Sequence, residues 1–451
     1  MDAIAHHTKC LAELQRAVSA LGGDAHSPRL PKISALIIQS MTGEWRSFHT
    51  PDHIFEVGFG GTPVEVIAAL FHDVVYVQVD SGLNINLSRY LAVYLREDGT
   101  NLVIDAEPAQ IDDEFQMCLD LFGFKNGQVM SPFAGQNEFL SAVIAVKVLK
   151  DILSFDHLVK IVACIEATIP FRGPGADGIS CSEQLAVRLQ AVSSQYGLGF
   201  GAEDIDQIVK KAVRTANRDV DNFASENPAD FLNNTWNLIP ETNHELLQVN
   251  VFTVKGYRNS LQKMEGFLSF LQATNVFRQY KAEPSDERFL QLQQNCQRNL
   301  EVARVYLRCK LIAIAVLEAM SLRLGEGLSL SAVMGKLPWE SDDMLKLETH
   351  LPKVTPAYQP KSPLETLVMD LLQNGRSAET VYDVKHSPVS NYMVRQMGFD
   401  RMLALLEPCR AFSKDPSQGE ALLKACDANV VSGILSALHT LYTLRAEVFE
   451  A

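Results

Sequence analysis

Apolar residues recur every three or four positions along most of this sequence, and this spacing constrains the fold more than any other feature. Segment 62–75, TPVEVIAALFHDVV, opens with Thr62 as a helix cap and Pro63 in the first turn, then runs almost wholly apolar. A helix that is apolar on all sides belongs in the centre of a protein. The periodicity therefore predicts an all-α fold with a buried central helix at 62–75, and only 100–106, TNLVIDA, reads as a short strand.

The helical pattern changes at about position 250, which predicts more than one domain in a chain of 451 residues. Segments 251–279 and 285–324 are long and amphipathic, and they resemble an antiparallel helical pair of the kind found in bundles. We therefore divide the chain into an N-terminal helix (1–27), a helical core domain (28–248) and a C-terminal helical region (249–451).

The acidic balance of the chain limits its partners. A formal net charge of -14 argues against contact with a nucleic acid polymer, which needs clustered Lys and Arg. No window approaches the ~18 uninterrupted apolar residues of a membrane helix, and the N-terminus lacks the pattern of a signal peptide. The eight cysteines form no CxxC pair, which is typical of free thiols in a reducing compartment. We expect a cytoplasmic protein without membrane contact.

Histidine and aspartate residues concentrate in one region of the sequence. His49 and His53 are four positions apart and would share one face of a helix. His72 is followed directly by Asp73 inside the predicted helix 62–75, where an ionised carboxylate is costly unless something pairs with it. A metal ion is the simplest single partner for both, although His72 by itself fits equally well as a satisfied core residue.

A fourth ligand follows from segment 202–226, which we read as a helix. At ~100° per residue its apolar positions form one stripe, on which Asp219 falls while Asp221 points to the opposite side. A carboxylate on the apolar face requires a partner, so Asp219 is the candidate ligand and Asp221 is expected to be solvated. Arg214 and Arg218 lie on the outer side of this helix and are also expected to be solvated.

The stretch RSFHTPDHIFEVGFGGTPVEVIAALFHDVVY, from Arg46 to Tyr76, resembles the HD-domain superfamily of metal-dependent phosphohydrolases. Many members carry R-x-Y-H-N-x-x-H, followed by an apolar helix that ends in A-x-x-H-D and by one further Asp on a later helix. Class I cyclic nucleotide phosphodiesterases have the H-x-x-x-H and HD elements in the same order. In this chain Phe48 and Thr50 stand where the usual Tyr and Asn are found.

The resemblance implies an HD-domain-like helical core in which His53, His72, Asp73 and Asp219 bind one or two divalent ions, with Asp73 bridging a pair of ions. It also implies that His49 protonates the leaving oxygen instead of binding metal. The mixed nitrogen and oxygen donors suit Mn, Fe, Zn or Ni, and Mg less well. We expect hydrolysis of a phosphomonoester or phosphodiester, such as a nucleotide or cyclic nucleotide, by metal-activated water.

Two arginines are candidate contacts to a phosphorylated small-molecule substrate. Arg46 precedes the first histidine motif, and Arg172 flanks the loop FRGPGADG at 171–178. A surface salt bridge is the alternative for Arg46, and a plain connecting turn is the alternative for the loop.

Two other functions fit the same residues. A non-catalytic regulator would keep the HD-type fold and use its C-terminal helices to bind a partner or form a homodimer. A di-iron oxygenase would need further His or carboxylate ligands, for which the sequence offers no convincing set.

Overall fold

The computed structural model describes residues 3–248, 251–335 and 345–450. Over these residues it contains 20 α-helices and one two-stranded sheet, which confirms the all-α fold class. The chain divides into two compact units. The first unit comprises Met1–Ala224 and Gln272–Cys296, and the second comprises Ser225–Leu271 and Gln297–Ala451.

These units differ from the predicted domains 1–27, 28–248 and 249–451. The N-terminal helix is part of the first unit, because it packs against three of that unit's helices. The chain enters the second unit at Ser225 and returns to the first for 272–296. The predicted boundaries marked a change in helix length near 250, and a local pattern of this kind carries no information about a later return of the chain.

The helices of the first unit are of short to moderate length. They are α1 (Ala3–Ala20), α2 (Leu30–Met41), α3 (Pro51–Gly58), α4 (Pro63–Phe71), α5 (Ile85–Leu91), α6 (Asp113–Phe122), α7 (Gln136–Leu149), α8 (Phe155–Ala167), α9 (Cys181–Gln195) and α10 (Ala202–Asp219). The apolar helix α8 lies in the core, where it packs against α4, α6, α7, α9 and α10. Strands β1 (Leu95–Asp98) and β2 (Asn101–Ile104) pair antiparallel, so the strand expected at 100–106 is confirmed.

Helix α4 is central and buried, as its composition predicted. It begins at Pro63, and every residue from Val64 to Phe71 is buried. It ends earlier than the predicted 62–75, so that His72 and Asp73 lie at its C-terminal end and outside the helix proper. An apolar run by itself does not specify where a helix stops.

The predicted helix 202–226 is also too long, since α10 ends at Asp219 and a short 3-10 turn follows at Asp221–Ala224. Similarly, α3 begins only at Pro51. His49 therefore lies in the bend before the helix, and the expectation that it shares a helical face with His53 is wrong.

Glu65 joins the three helices that carry the histidine and aspartate residues of interest. Its carboxylate accepts the N–H of Thr62 at 2.9 Å, capping α4, and accepts the Arg214 Nε of α10 at 3.1 Å. Arg218 lies 3.4 Å from the same carboxylate, and its Nε donates to the Val57 carbonyl of α3 at 2.6 Å. The expectation that Arg214 and Arg218 are solvated is wrong, because the outer side of α10 meets a buried carboxylate from another helix.

The helices of the second unit vary widely in length. They are α11 (Pro228–Thr242), α12 (Val254–Phe270), the greater part of α13 (Asp286–Ser321), α14 (Leu330–Met334), α15 (Leu347–His350), α16 (Pro363–Asn374), α17 (Pro388–Ala404), α18 (Leu406–Lys414), α19 (Gly419–Ala425) and α20 (Ala428–Glu450). Ion pairs join Arg258 to Glu318 and Glu265 to Arg308, so residue numbers rise along α12 as they fall along α13. The predicted antiparallel direction of the pair is therefore confirmed, but the first helix ends at Phe270 and not at the predicted position 279.

Two further expectations concern the whole chain. All eight cysteines are buried free thiols, as expected from their apolar surroundings. Of the helices described, none is by itself both long and apolar enough to cross a membrane, whereas Pro416–Ala425 and Ala428–Ala446 meet that requirement only as a pair bent by 116°.

Replacing Glu65 with Gln should lower the free energy of unfolding by about 3 kcal/mol at pH 7, because two partly buried arginines lose their shared carboxylate. Burial raises the pKa of Glu65, but hydrogen bonds from Thr62 and the charges of Arg218 and Arg214 lower it below its ordinary value of 4.5. The carboxylate therefore stabilises the fold fully above pH 4.5 and progressively less as the pH falls through its lowered pKa.

Urea unfolding of wild type and Glu65→Gln at several pH values measures this difference. Glu203→Gln, at an exposed position in the first turn of α10, is the control and should change stability little. A Glu65→Gln effect that stayed constant from pH 7 down to pH 3 would contradict the assigned ion pairs.

Candidate metal centre

Four side chains from three helical segments meet in the first unit. His53 comes from α3, His72 and Asp73 from the C-terminal end of α4, and Asp219 is the last residue of α10. The packing of α3, α4 and α10 against one another brings these positions together across up to 166 residues of sequence.

The geometry of this group matches the requirements of a metal ion. His53 Nε2 lies 3.1 Å from Asp219 Oδ1 and 3.5 Å from Asp73 Oδ2, while His72 Nε2 lies 3.2 Å and 3.0 Å from the same two oxygens. One donor atom from each residue falls within 4.8 Å of all the others. Donor atoms that share one ion at about 2.1 Å lie about 3 to 4 Å apart. The group therefore has the donors and the size to hold a metal ion.

The electrostatics of the group require positive charge. Burial raises the pKa of Asp219, but the charge of His72 and a hydrogen bond from His53 lower it to about 2, and the pKa of Asp73 also falls well below its ordinary value. Burial lowers the pKa of His53, but the two carboxylates raise it to about 9, and they also raise the pKa of His72 well above its ordinary value. Two imidazolium groups supply the positive charge that the carboxylates need, and one divalent ion would supply the same amount.

The orientation of the His72 ring favours the metal. Its Nδ1 lies 2.8 Å from the Ala69 carbonyl oxygen, to which it donates a hydrogen bond. In a neutral imidazole this bond leaves the Nε2 lone pair directed at the carboxylates. A hydrogen bond from the second ring nitrogen to a backbone carbonyl is typical of metal-bound histidines.

Arg46 supports the turn that carries Asp73. Its Nε and NH2 donate to the Asp80 carboxylate at 2.9 Å and 2.7 Å, and its NH1 donates to the Asp73 carbonyl at 2.7 Å. The side chain of Arg46 is 0% exposed. The guanidinium is therefore occupied by the Asp80 carboxylate and by the backbone after α4, and the expected contact of Arg46 with phosphate stays a prediction.

Helix α7 holds the chain that follows Asp73, a role that the sequence reasoning missed. Ser141 Oγ accepts the Val75 N–H at 3.0 Å, and Asn137 Oδ1 accepts the Val77 N–H at 3.2 Å. Both polar side chains are buried in a helix that is otherwise largely apolar. Polar residues at these positions of an apolar helix were the feature of the sequence that could have indicated this role.

His49 lies beside the group of four without being one of its members. Its ring is edge-on to His53 at 5.7 Å between centroids and edge-on to Tyr76 at 4.6 Å. Its charge contributes to the lowered pKa of Asp73, which places it within electrostatic range of that carboxylate. The position suits a group that acts next to a metal ion and does not bind it.

Glu138, in the first turn of α7, is a second acid–base group that the sequence reasoning missed. Burial raises the pKa of its carboxyl to about 7, with further contributions from the charges of Asp73 and Asp219. Its Oε2 is buried without a hydrogen-bond partner in the part of the chain that the structure describes. A carboxyl group of this kind exists in both protonation states near neutral pH.

Two arginines approach the same region from other segments. Arg172 donates to the Glu166 carboxylate at 2.6 Å, and its buried Nε has no hydrogen-bond partner among the described residues. The charge of Arg172 affects the pKa of Glu138. The side chain of Asn217 in α10 holds the backbone of Arg278 in place. It accepts a hydrogen bond from the Arg278 N–H at 2.8 Å and donates one to the Arg278 carbonyl at 2.9 Å. Arg278 is also within electrostatic range of Asp219. It was not found from the sequence because it lies 59 positions beyond Asp219.

Models of protein families, curated proteins and solved structures were compared with this chain, and none of them matches it. The resemblance to the HD-domain superfamily therefore depends on the motif residues between Arg46 and Tyr76. The geometry of the four-residue group is an independent observation, because it follows from the folded chain and from donor chemistry.

A matched pair of substitutions tests the ligand set. Asp219→Asn should weaken binding of Mn²⁺ or Zn²⁺ by roughly 100-fold or more, because it removes one charged donor and half of the balancing negative charge. Asp221→Asn should leave binding unchanged, because Asp221 is exposed in the turn after α10. Metal content after reconstitution and titration calorimetry measure both. Equal affinities in the two variants would refute the assignment of Asp219.

Proposed function

We propose that this protein hydrolyses a phosphomonoester or phosphodiester of a small molecule with a divalent ion held by His53, His72, Asp73 and Asp219. The observation that carries the proposal is the group of four donor atoms within 4.8 Å. Two imidazole nitrogens and two carboxylate oxygens suit Mn, Fe, Zn or Ni better than Mg. When bound, such an ion makes coordinated water more acidic and neutralises charge on a phosphoryl oxygen.

His49 is the proposed proton donor to the leaving oxygen. The edge-on contacts with His53 and Tyr76 hold its imidazole beside the metal ligands. Imidazole is the most common group in general acid–base catalysis, and donation to the leaving oxygen removes the need to expel an alkoxide. The role assigned to His49 by the family resemblance is thus supported by its position.

Glu138 is the proposed acceptor of the proton that the attacking water releases. Its Oε2 has no hydrogen-bond partner among the described residues, and its pKa of about 7 allows it to accept a proton at neutral pH. Together with His49, it provides one base and one acid, which hydrolysis of a phosphoester by water requires.

Arg278 and Arg172 are the proposed contacts to the phosphoryl oxygens of the substrate. Arg278 carries a buried guanidinium within electrostatic range of Asp219, and the buried Nε of Arg172 has no hydrogen-bond partner in the part of the chain that the structure describes. Guanidinium groups are well suited to phosphate because their fixed donors match its oxygens. The predicted substrate contact of Arg172 is therefore kept as part of the proposal, with the ion pair to Glu166 holding the side chain in place.

The full chain, reconstituted with Mn²⁺, should hydrolyse at least one of a panel that contains p-nitrophenyl phosphate, bis-p-nitrophenyl phosphate, nucleoside monophosphates and cyclic nucleotides. His49→Asn should lower kcat by about 10²- to 10⁴-fold with unchanged metal content, because it removes an acid and no ligand. His26→Asn, at an exposed position, is the control.

Several outcomes would contradict this function. Full activity in His49→Asn would refute the proton-donor role. A fully metal-loaded protein that hydrolyses nothing in the panel would favour the non-catalytic regulator, and iron-dependent oxygen consumption would favour the oxygenase.

Glu138→Gln should remove the rise in rate with increasing pH through about pH 7, because the base form of the carboxyl is required and the amide does not titrate. The expected loss of kcat at pH 8 is about 10²-fold. The pH–rate profiles of wild type, Glu138→Gln and the control Glu203→Gln measure this effect. A profile that keeps the same midpoint in Glu138→Gln would show that another group titrates.

A further inference from the structure

A second group of polar side chains lies entirely within the second unit, where α17 begins. A cavity there has an empty volume of about 710 Å³, part of it open to solvent. Its lining includes the apolar residues Ile314, Leu330 and Val389. It also includes the polar residues Lys310, Ser387 and Ser390.

Among the residues that the structure describes, the fully buried charges beside this cavity do not balance, and the partly buried Lys346 and Glu348 that also line it contribute one charge of each sign. The side chains of Lys310, Arg376 and Asp383 are 5%, 0% and 8% exposed. Asp383 Oδ2 lies 2.7 Å from Lys310 Nζ and 3.5 Å from Arg376 NH1, so two cations share one carboxylate. The face of Trp236, 4.4 Å from the Arg376 guanidinium carbon, offsets part of the excess. A buried excess of one positive charge is unfavourable unless an anion is nearby.

Several hydrogen-bond donors remain available at the cavity wall. Lys310 Nζ donates to Asp383 and, at 3.3 Å, to Ser387 Oγ, and its third N–H has no acceptor among the described residues. Tyr306 is wholly buried, and its hydroxyl shares a hydrogen bond of 2.8 Å with Ser387 Oγ in which either oxygen can be the donor. Ser390 is 2% exposed, and its hydroxyl makes no hydrogen bond within the described part of the chain.

The N-terminus of α17 faces the same cavity. The helix starts at Pro388 and runs ten residues before its kink at Gly398, and residues 387–390 all line the cavity. Ser387 does not cap it with a side-chain hydrogen bond. The N–H groups of the first turn and the partial positive charge of the helix end therefore add to the charge of Lys310.

We propose that this cavity binds a small organic monocarboxylate with an apolar body. Its carboxylate would lie between Lys310 and the first turn of α17 and accept hydrogen bonds from Lys310, Ser387 and Ser390. Its apolar body would lie against Ile314 and Leu330. The single negative charge of a carboxylate balances the excess positive charge of Lys310 and Arg376 over Asp383. A phosphate dianion would instead leave an excess of one negative charge. The proposal is independent of the metal centre and of the function proposed for it.

Octanoate is a suitable probe, and titration calorimetry and thermal unfolding of the full chain measure its binding. Wild type should bind octanoate saturably, and its Tm should rise with octanoate concentration. Lys310→Met should weaken binding at least tenfold, and Ser390→Ala about threefold to tenfold. Lys361→Met, which removes an exposed lysine paired with Asp400 outside the cavity, should bind like wild type.

Four results would overturn the proposal. The first is that wild type does not bind octanoate saturably, and the second is that folded Lys310→Met binds it as tightly as wild type. The third is that inorganic phosphate binds more tightly than octanoate. The fourth is that Asp219→Asn loses octanoate binding, which would place the carboxylate at the metal centre. Ser390→Ala removes one hydroxyl and no charge. It decides the question if Lys310→Met does not fold, and in that case unchanged affinity in Ser390→Ala also overturns the proposal.

Discussion

The buried carboxylate of Asp73 and the partly buried carboxylate of Asp219 face two buried imidazoles, and this concentration of charge determines how the surrounding structure is arranged. Carboxylates so close together and so far from water are stable only when positive charge lies between or beside them. Without a metal ion, the imidazoles of His53 and His72 supply this positive charge by binding protons. A divalent ion can replace those protons. The site therefore has a chemical preference for a cation before any function is considered.

The rest of the first unit holds these four groups in position through contacts with the backbone. Arg46 fixes the carbonyl of Asp73, Ala69 fixes the ring of His72, and Glu65 ties α3, α4 and α10 together through Arg218. A shift of one helix would change the donor distances by more than a metal ion accepts. The supporting contacts are thus as necessary to the proposed metal centre as the ligands themselves.

The balance of buried charge also differs between the two candidate sites, and this difference determines the sign of the ion that each would bind. In the first unit, the negative charges of Asp73 and Asp219 are balanced by protons on His53 and His72, which a cation could replace. In the second unit, Lys310 and Arg376 share the carboxylate of Asp383, and Ser390, whose hydroxyl has no hydrogen-bond partner among the described residues, lines the same cavity as the start of α17. The same physical rule therefore predicts a cation in one unit and an anion in the other.

The sequence alone predicted the all-α fold, the burial of α4 and the choice of Asp219 over Asp221, because helical periodicity shows which side of a helix faces the core. It also predicted His53, His72 and Asp73 as neighbours, because they are close in sequence. It did not predict where α4 and α10 end, the return of 272–296 to the first unit, or the roles of Glu65, Glu138 and Arg278. Those features depend on which residues from distant segments meet, and only the packing of the helices decides that.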